Sequence, residues 1–186
     1  MWVPIGNYAS DKENYFAGTY DGKGHKIDNI YIDTTSSYQG LFGYNAGTIK
    51  NLGINTGTIK AGDCSGSIVG QNEGIIEKCY NNIELYCYQG KYFGGIAGIQ
   101  GMSQKSNIIK CYNKGNITGS ITQNSGAMCG IVGYTNNSNI EYSYNVGNIT
   151  NTTSVQNVST AGITDLKLGK IYACYNTGNI TTRNGK

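Results

Sequence analysis

The sequence is poor in charged residues and in several residue types on which binding and catalysis commonly depend. Only 13% of the 186 residues are charged, the formal net charge is +3, and the chain has a single His, a single Pro and a single Arg. Soluble globular domains average about 25% charged residues. A nucleic-acid partner is therefore not expected, because affinity for phosphates depends on clustered Arg and Lys.

Long apolar runs are also missing. No stretch approaches the roughly 18 apolar residues of a membrane-crossing helix, so no membrane span is predicted in this segment. The segment Trp2-Val-Pro-Ile-Gly-Asn7 is neither basic nor continuously apolar, unlike a signal peptide. We expect the chain to be a fragment of a longer protein, because a repeating pattern is interrupted at both ends.

The abundant residues favour strands and turns. There are 28 Gly, 23 Asn and 16 Tyr, whereas Ala, Leu, Glu and Arg, which favour helices, are scarce. Hydrophobic residues make up 38%, which is more than a disordered chain carries. The composition predicts an all-β protein whose turns use Gly and Asn, since both tolerate positive φ.

Two short motifs recur in a fixed order. The first is a small residue, two apolar residues and a Gly, found at Gly40-Leu-Phe-Gly43, Ser67-Ile-Val-Gly70, Gly95-Ile-Ala-Gly98 and Gly130-Ile-Val-Gly133, with a decayed copy at Gly162-Ile-Thr-Asp165. The second occurs at Cys79-Tyr-Asn81, Cys111-Tyr-Asn113, Ser143-Tyr-Asn145 and Cys174-Tyr-Asn176. Leu52-Gly-Ile54 and Ile30-Tyr-Ile32 occupy the equivalent place earlier in the chain.

Short extended units that repeat with turns between them predict a β-solenoid, because each unit buries its apolar face only against its neighbours. We predict a parallel β-helix of about six coils, each with three short strands. The whole chain, residues 1–186, is expected to form one domain. Residues 1–36 would be the lead-in and first coil, and residues 37–186 the repeats.

Alternation along a strand assigns the faces of the second motif. If Leu52 and Ile54 point inward, the inward ladders are Cys79, Cys111, Ser143 and Cys174, followed by Asn81, Asn113, Asn145 and Asn176. The intervening residues Tyr31, Tyr80, Tyr112, Tyr144 and Tyr175 are predicted to form an outward column, interrupted at Gly53. Inward Asn would bond to the turn backbone and to the next Asn.

The first motif resembles the GLUG repeats of bacterial surface proteins, and Gly40-Leu-Phe-Gly43 matches their Gly-Leu-x-Gly core. The segment from Phe16 to Ile32 resembles the sequence that commonly precedes such repeats. The resemblance implies a right-handed parallel β-helix in a large secreted or wall-attached bacterial protein. Adhesin-like proteins and immunoglobulin A-cleaving metallopeptidases carry such arrays. The zinc-binding H-E-x-x-H of those peptidases has no counterpart here, so no catalytic residue is carried over.

The cysteines do not match a metal site. There is no C-x-x-C, and His25 is not near any Cys, so no metal or cofactor is expected. The Cα atoms of stacked Cys79 and Cys111 would lie about 4.8 Å apart, which is within the range of a disulfide. Ser143 occupies the same position in the next coil, however, and Ser cannot form that bond. A buried ladder is the favoured interpretation, and a bridge involving Cys64, Cys87 or Cys129 remains open.

Catalysis is not expected from the acidic residues. Glu73 with Glu77 and Asp28 with Asp33 are close in sequence, but neither pair recurs one coil away. Asp21-Gly-Lys-Gly24 lacks the pattern of a phosphate or calcium loop and is predicted to be a tight turn, followed by an exposed His25.

The predicted function is therefore a non-catalytic structural or display segment of an extracellular adhesin-like protein. One alternative is a substrate-positioning segment of a secreted immunoglobulin A-type metallopeptidase, and another is a glycan-active β-helix enzyme. Partners would be a host glycan or a host surface protein. The candidate binding surface is the column of Tyr80, Tyr112, Tyr144 and Tyr175, set against the simpler interpretation that these rings only pack on one another.

Overall fold

The computed structural model describes residues 1–6 and 14–183, and the only regular elements in these ranges are β-strands. The first turn of the chain contains β1 (Thr19–Asp21), β2 (Lys26–Ile27), β3 (Ile30–Asp33) and β4 (Phe42–Asn45). The second contains β5 (Thr48–Lys50), β6 (Gly53–Ile54), β7 (Gly57–Ala61) and β8 (Val69–Asn72). The third contains β9 (Ile75–Glu77), β10 (Tyr80–Asn81), β11 (Leu85–Gly90), β12 (Tyr92–Gly94) and β13 (Ala97–Gln100).

The remaining turns repeat this order. The fourth contains β14 (Asn107–Ile109), β15 (Tyr112–Asn113), β16 (Ile117–Ile121), β17 (Ala127–Cys129) and β18 (Val132–Thr135). The fifth contains β19 (Ser138–Glu141), β20 (Tyr144–Asn145), β21 (Ile149–Asn151), β22 (Ser159–Ala161) and β23 (Thr164–Leu166). The sixth, which is partial, contains β24 (Gly169–Tyr172), β25 (Tyr175–Asn176) and β26 (Ile180–Thr182).

The strands stack into five parallel sheets that run along the solenoid axis. Sheet I contains β1, β5, β9, β14, β19 and β24; sheet II contains β2, β6, β10, β15, β20 and β25; and sheet III contains β3, β7, β11, β16, β21 and β26. Sheet IV contains β12, β17 and β22, and sheet V contains β4, β8, β13, β18 and β23. The predicted all-β parallel solenoid is confirmed.

Each of the first five turns has four or five strands, where the sequence predicts three. Sheet I was missed because its strands have three or four residues around a single inward side chain, which is Tyr20 in β1 and Ile in the others, with variable neighbours. Ile49, Ile76, Ile108 and Ile140 stack in register there and are fully buried. A strand this short shows too little alternation to be detected in sequence.

The register also corrects the start of the Tyr column. Gly53 pairs with Lys26 and not with Tyr31, which instead pairs with Thr58 in sheet III. Lys26–Ile27 and Ile30–Asp33 are consecutive strands, separated by Asp28 and by Asn29 at φ 61°. In both strands an outward residue alternates with an inward apolar one, so the sequence pattern alone does not show which strand pairs with Gly53–Ile54.

The core is a stack of mostly aliphatic side chains, to which sheet IV adds Phe93 and Met128. Ile32, Ile59, Leu85, Ile117 and Ile149 form the inward row of sheet III and are essentially fully buried. At the N-terminal end, the Phe16 and Tyr20 rings lie 5.0 and 5.5 Å from the Phe42 ring. Burying one such aliphatic side chain stabilises the fold by about 1.5–3 kcal/mol.

Glycine is needed for close backbone approach more than for positive φ. Six Gly and twelve other residues in the described ranges have positive φ. One corner between sheets I and II is left-handed in every turn, at Gly24, Asn51, Lys78, Lys110, Tyr142 and Ala173. In contrast, a Cβ on Gly115 would lie 1.7 Å from the carbonyl oxygen of Ile83 in the preceding turn. Left-handed turns do use Gly and Asn, as predicted, at six Gly and four Asn in the described ranges, but close backbone approach is a further requirement for glycine.

Candidate functional site

Sheet II places the Cys-Tyr-Asn motifs of successive turns in register. Tyr80, Tyr112, Tyr144 and Tyr175 pair in sequence, as do Asn81, Asn113, Asn145 and Asn176. The four Tyr side chains point outward and the four Asn side chains point inward. The structure thus brings together both sets of residues that the sequence singled out.

The inward Asn residues form a continuous amide ladder. The Asn81 side-chain amide donates to the carbonyl oxygen of Ile83 at 2.8 Å and to Oδ1 of Asn113 at 2.7 Å. Asn113 repeats both bonds with Gly115 and Asn145, and Asn145 repeats them with Gly147 and Asn176. Each amide therefore fixes its own turn and connects to the next, which offsets the cost of burying a polar group.

Cys and Ser are interchangeable in the neighbouring ladder because both make the same hydrogen bonds. The backbone N–H of Cys79 donates to Sγ of Cys111 at 3.4 Å, and the N–H of Cys111 donates to Oγ of Ser143 at 3.1 Å. The Cys111 thiol and the Ser143 hydroxyl each donate to the carbonyl oxygen two residues earlier. A thiol or a hydroxyl at this position thus joins two turns without a covalent bond.

All six cysteines are free thiols in the structure. Burial raises the pKa of the Cys87 and Cys129 thiols to about 12. Burial and the neighbouring Cys79 thiol also raise the pKa of Cys111. The thiolate form is thus disfavoured at these positions, and thiolate is the nucleophilic form of cysteine.

The two sequence motifs meet across the core. A Cβ on Gly95 would lie 2.7 Å from Cγ of Asn113, and one on Gly130 would lie 2.5 Å from Cγ of Asn145. A Cβ on Gly162, in the decayed copy, would lie 2.4 Å from Cβ of Asn176. The first Gly of each of these motifs therefore leaves room for the Asn of the following turn.

The outward Tyr column is a stack of nearly parallel rings. The ring centroids are separated by 5.0 Å from Tyr80 to Tyr112, 5.1 Å from Tyr112 to Tyr144 and 4.9 Å from Tyr144 to Tyr175, with interplanar angles of 10° or less. Gly53 provides the space beside Tyr80, because a Cβ there would lie 2.0 Å from the Tyr80 ring. Lys114 Nζ lies 5.1 Å from the Tyr112 ring centroid.

This stacking limits how the column can contact a ligand. Both faces of the Tyr112 and Tyr144 rings are covered by neighbouring rings, so a sugar ring has no free face to stack on there. The column offers a row of hydroxyl groups and ring edges. Burial and the adjacent tyrosines raise the pKa of the Tyr112 hydroxyl above that of a free tyrosine. Ligand binding by the column stays a prediction.

The comparisons with known proteins support the fold. A crystal structure of a candidate immunoglobulin A1 protease from Bacteroides ovatus superposes with a TM-score of 0.68, covering 99% of this chain and 67% of that one. The two sequences are 19% identical, so this similarity concerns the fold alone. No protein-family model matches the chain, and membership of the GLUG repeats stays a prediction.

A part of the chain is also similar to Halomucin of Haloquadratum walsbyi. The two sequences are 34% identical over 76 residues, which is 39% of this chain. The same alignment covers 1% of Halomucin. The similarity thus concerns a small segment of a far longer protein.

Sequence reasoning missed a second amide ladder, in sheet V. The Asn45 amide donates to Oδ1 of Asn72 at 2.8 Å, and the Asn72 amide lies 3.5 Å from Oε1 of Gln100. The signal was present as Asn-x-Gly at Asn45-Ala-Gly47 and Asn72-Glu-Gly74, the spacing that Asn113-Lys-Gly115 also shows. In each case the Asn side chain bonds to the backbone of the Gly two residues later.

The acidic residues considered for catalysis have structural partners. Glu73 is buried, and its carboxylate accepts hydrogen bonds from the backbone N–H groups of Met102, Ser103 and Gln104 and from the Gln71 amide. This carboxylate holds the loop between β13 and β14. Oδ1 of Asp63 likewise accepts three backbone N–H groups, from Cys64, Lys91 and Tyr92.

Asp28 and Asp21 also accept hydrogen bonds that stabilise the local structure. Asp28 accepts from the Asn55 amide at 2.6 Å, a bond that lowers the pKa of the Asp28 carboxyl group. Asp21 accepts from the Lys23 N–H in the tight turn between β1 and β2, and His25 is exposed after that turn.

In residues 1–6 and 14–183, no group of three or more His, Cys, Asp or Glu side chains is arranged to hold a metal ion. Over the same ranges, no helix has the length and apolar character needed to cross a membrane.

Proposed function

We propose that this chain is a rigid, non-catalytic segment of an extracellular or wall-attached bacterial protein, where it spaces or displays surfaces. The observation that carries the proposal is the amide ladder from Asn81 to Asn176, which joins four consecutive turns through buried hydrogen bonds. Stacked turns that are each fixed to the next give a stiff, quasi-one-dimensional body.

The role of the acidic residues supports a structural function. Glu73 and Asp63 accept backbone N–H groups and thereby shape loops. A catalytic carboxylate must be within reach of a substrate proton or carbon atom, whereas Glu73 is 1% exposed. The alternative of a glycan-active enzyme therefore has less support than a scaffold.

The extracellular location is supported by similarity and by the GLUG-like motifs. The solved structure that resembles this chain is of a candidate protease for immunoglobulin A1, which is a secreted protein. The structural similarity to that candidate protease extends over almost all of this chain. The adhesin-like context comes from the resemblance of Gly40-Leu-Phe-Gly43 and its copies to GLUG repeats.

Proteolytic shaving of intact source cells tests the location. Peptides of this chain should be released from intact cells, at loops such as residues 152–158 between β21 and β22. Release only after lysis would contradict an extracellular role.

Hydrogen exchange tests the rigidity, since the backbone amides of β10, β15 and β20 should exchange only through global unfolding.

A second candidate function is substrate positioning within an immunoglobulin A1 protease, and the similarity to the Bacteroides ovatus protein favours it. Surface plasmon resonance with immobilised immunoglobulin A1 tests this directly. Saturable binding that the Tyr112→Ala and Tyr144→Ala variants lose would favour the protease context. Absence of binding would leave the spacer role.

A further inference from the structure

The outward face of sheet III has a shallow depression in its first half. Its volume is about 250 Å³. The polar side chains that line it come from three consecutive turns and are Thr58, Lys60, Glu84, Tyr86 and Thr118. In these three turns, equivalent positions hold different residue types, as Lys60, Tyr86 and Thr118 show.

The depression has hydrogen-bonding groups that the fold does not use. Among the described residues, the hydroxyls of Thr58, Tyr86 and Thr118 have no hydrogen-bond partner. The Glu84 carboxylate has one long contact of 3.5 Å from the Asn116 amide. Lys60 Nζ lies 3.9 Å from Oδ2 of Asp33. The depression thus combines donors and acceptors with one charge of each sign, so its lining has no net charge.

A fixed aromatic ring forms one wall of the depression. The Tyr86 side chain is 41% exposed and packs edge to face against Tyr88, with ring centroids 5.3 Å apart. The Tyr88 hydroxyl donates to Oδ1 of Asp33 at 2.5 Å, and the Tyr31 hydroxyl lies 3.3 Å from Oδ2 of the same carboxylate. Asp33 therefore holds Tyr88 in place, and Tyr88 in turn orients Tyr86.

Two straight rows of polar side chains lead away from the depression along the axis. Thr118, Thr150 and Thr181 pair in register on the outward face. Beside them, Oδ1 of Asn116 accepts the backbone N–H of Asn148 at 3.0 Å, and Oδ1 of Asn148 accepts that of Asn179 at 2.9 Å. Among the described residues, the Asn148 NH₂ group has no hydrogen-bond partner, so it is a free donor on this face while the Asn148 Oδ1 atom is occupied. The rows repeat at the strand spacing of about 4.8 Å.

We infer that this face of sheet III binds a neutral, extended β-linked polysaccharide lying along the solenoid axis. One sugar ring would pack on Tyr86 in the depression, with its hydroxyls bonded to Lys60, Glu84 and Thr118. The next sugars would follow the Thr and Asn rows, because each sugar of an extended β-linked chain advances by about one strand spacing. The inference rests on the proposed extracellular function, since structural polysaccharides occur outside the cell.

Titration calorimetry with cellohexaose, and with maltohexaose as the α-linked comparison, tests the site on the whole chain. Cellohexaose should bind, and Tyr86→Ala should weaken that binding at least tenfold. Thr118→Val is a second, milder variant and should weaken it several-fold. Tyr172→Ala is the matched control, because Tyr172 is equally aromatic and 59% exposed but lies in sheet I. It should bind cellohexaose like the unaltered chain.

The length of the ligand tests the rows separately from the depression. Thr150→Val should weaken the binding of cellohexaose about threefold and leave that of cellobiose unchanged, because a disaccharide with one ring on Tyr86 reaches only Thr118 in the fourth turn. Equal weakening for both lengths would contradict binding along the axis.

Three results would overturn the inference. One is absence of cellohexaose binding, and another is equal affinity for maltohexaose. The third is binding that Tyr144→Ala abolishes and Tyr86→Ala leaves intact, which would move the site to the Tyr column. Unfolding midpoints of all variants show whether each is folded. The scaffold proposal fails instead if peptides are released only from lysed cells or if interior amides exchange rapidly.

Discussion

The fifth and sixth turns of the solenoid have closely similar side chains in the same register, yet they are buried to different degrees. Ile140 and Ile149 in the fifth turn are fully buried, whereas their partners Ile171 and Ile180 are 42% and 44% exposed. The Asn145 amide donates to the next turn, whereas the Asn176 amide donates, among the described residues, only to Gly178 of its own turn. Burial and hydrogen bonding in this fold thus depend on the neighbouring turn more than on residue type.

The largest expected difference between these turns is in thiol reactivity. Cys174 is half-buried and Cys111 is fully buried, so Cys111 reacts only after local or global opening. At neutral pH, a maleimide should label Cys174 at least about a thousandfold faster than Cys111, which corresponds to about 4 kcal/mol of opening free energy. Mass spectrometry of a labelling time course measures this. Similar rates at both positions would show that interior turns open as easily as the last.

Replacing a closely packed glycine should destabilise an interior turn more than the last one. A Cβ on Gly115 would lie 1.7 Å from the Ile83 carbonyl oxygen, and one on Gly178 would lie 2.0 Å from that of Gly147. Gly115→Ala should cost about 3 kcal/mol of unfolding free energy. Gly178→Ala should cost about 1 kcal/mol, because the outer turn is free to shift away. Urea unfolding of both variants tests this, with Gly18→Ala as a control whose Cβ meets only the Phe16 ring at 3.6 Å.

Interrupting the amide ladder should have a smaller effect that again depends on position. Asn113→Ala leaves the Asn81 amide and the Gly115 carbonyl without their buried partner, at a cost of about 2 kcal/mol. Asn176 lies in the half-buried sixth turn, and Asn176→Ala removes one hydrogen bond of the Asn145 amide. It should lower the unfolding free energy by about 1 kcal/mol. Chemical denaturation of the two variants gives both values. Equal losses would mean that the ladder contributes the same at its end as in its middle.

The smallest effect concerns the pH dependence of stability. Burial raises the pKa of Tyr112 and Tyr144 above that of a free tyrosine. The unfolded chain therefore ionises first as pH rises, so this contribution to stability is complete below about pH 10 and is lost above it. Tyr112→Phe should flatten the decline between pH 9 and 11. Urea unfolding across that range measures it, and an unchanged slope would contradict burial of the interior ring.

Much of sheet II was predictable because its repeating unit is three residues long and alternates cleanly. Cys79-Tyr-Asn81 and its copies assign inward and outward positions without knowledge of the rest of the turn. Tyr31 was misplaced because Ile30-Tyr-Ile32 has the same alternation one strand later.

The face of sheet III was not predictable from the sequence in the same way. Lys60, Tyr86 and Thr118 occupy equivalent places in successive turns but share no chemistry, so no repeat signal connects them. Their proximity follows from the register alone. The amide ladder of sheet V could have been predicted from the sequence, because Asn45 and Asn72 both precede a Gly by two residues.

The contact between the first glycine of the last three motif copies and the Asn of the following turn has an evolutionary consequence. Gly95 and Asn113 belong to successive repeats, so the unit that fits together is a pair spanning the boundary between two copies. A tandem duplication of one repeat recreates that boundary intact, since each new copy brings a glycine for the Asn after it. Arrays of this kind can therefore lengthen or shorten by gene duplication and deletion, while a change in one copy selects for a matching change in its neighbour.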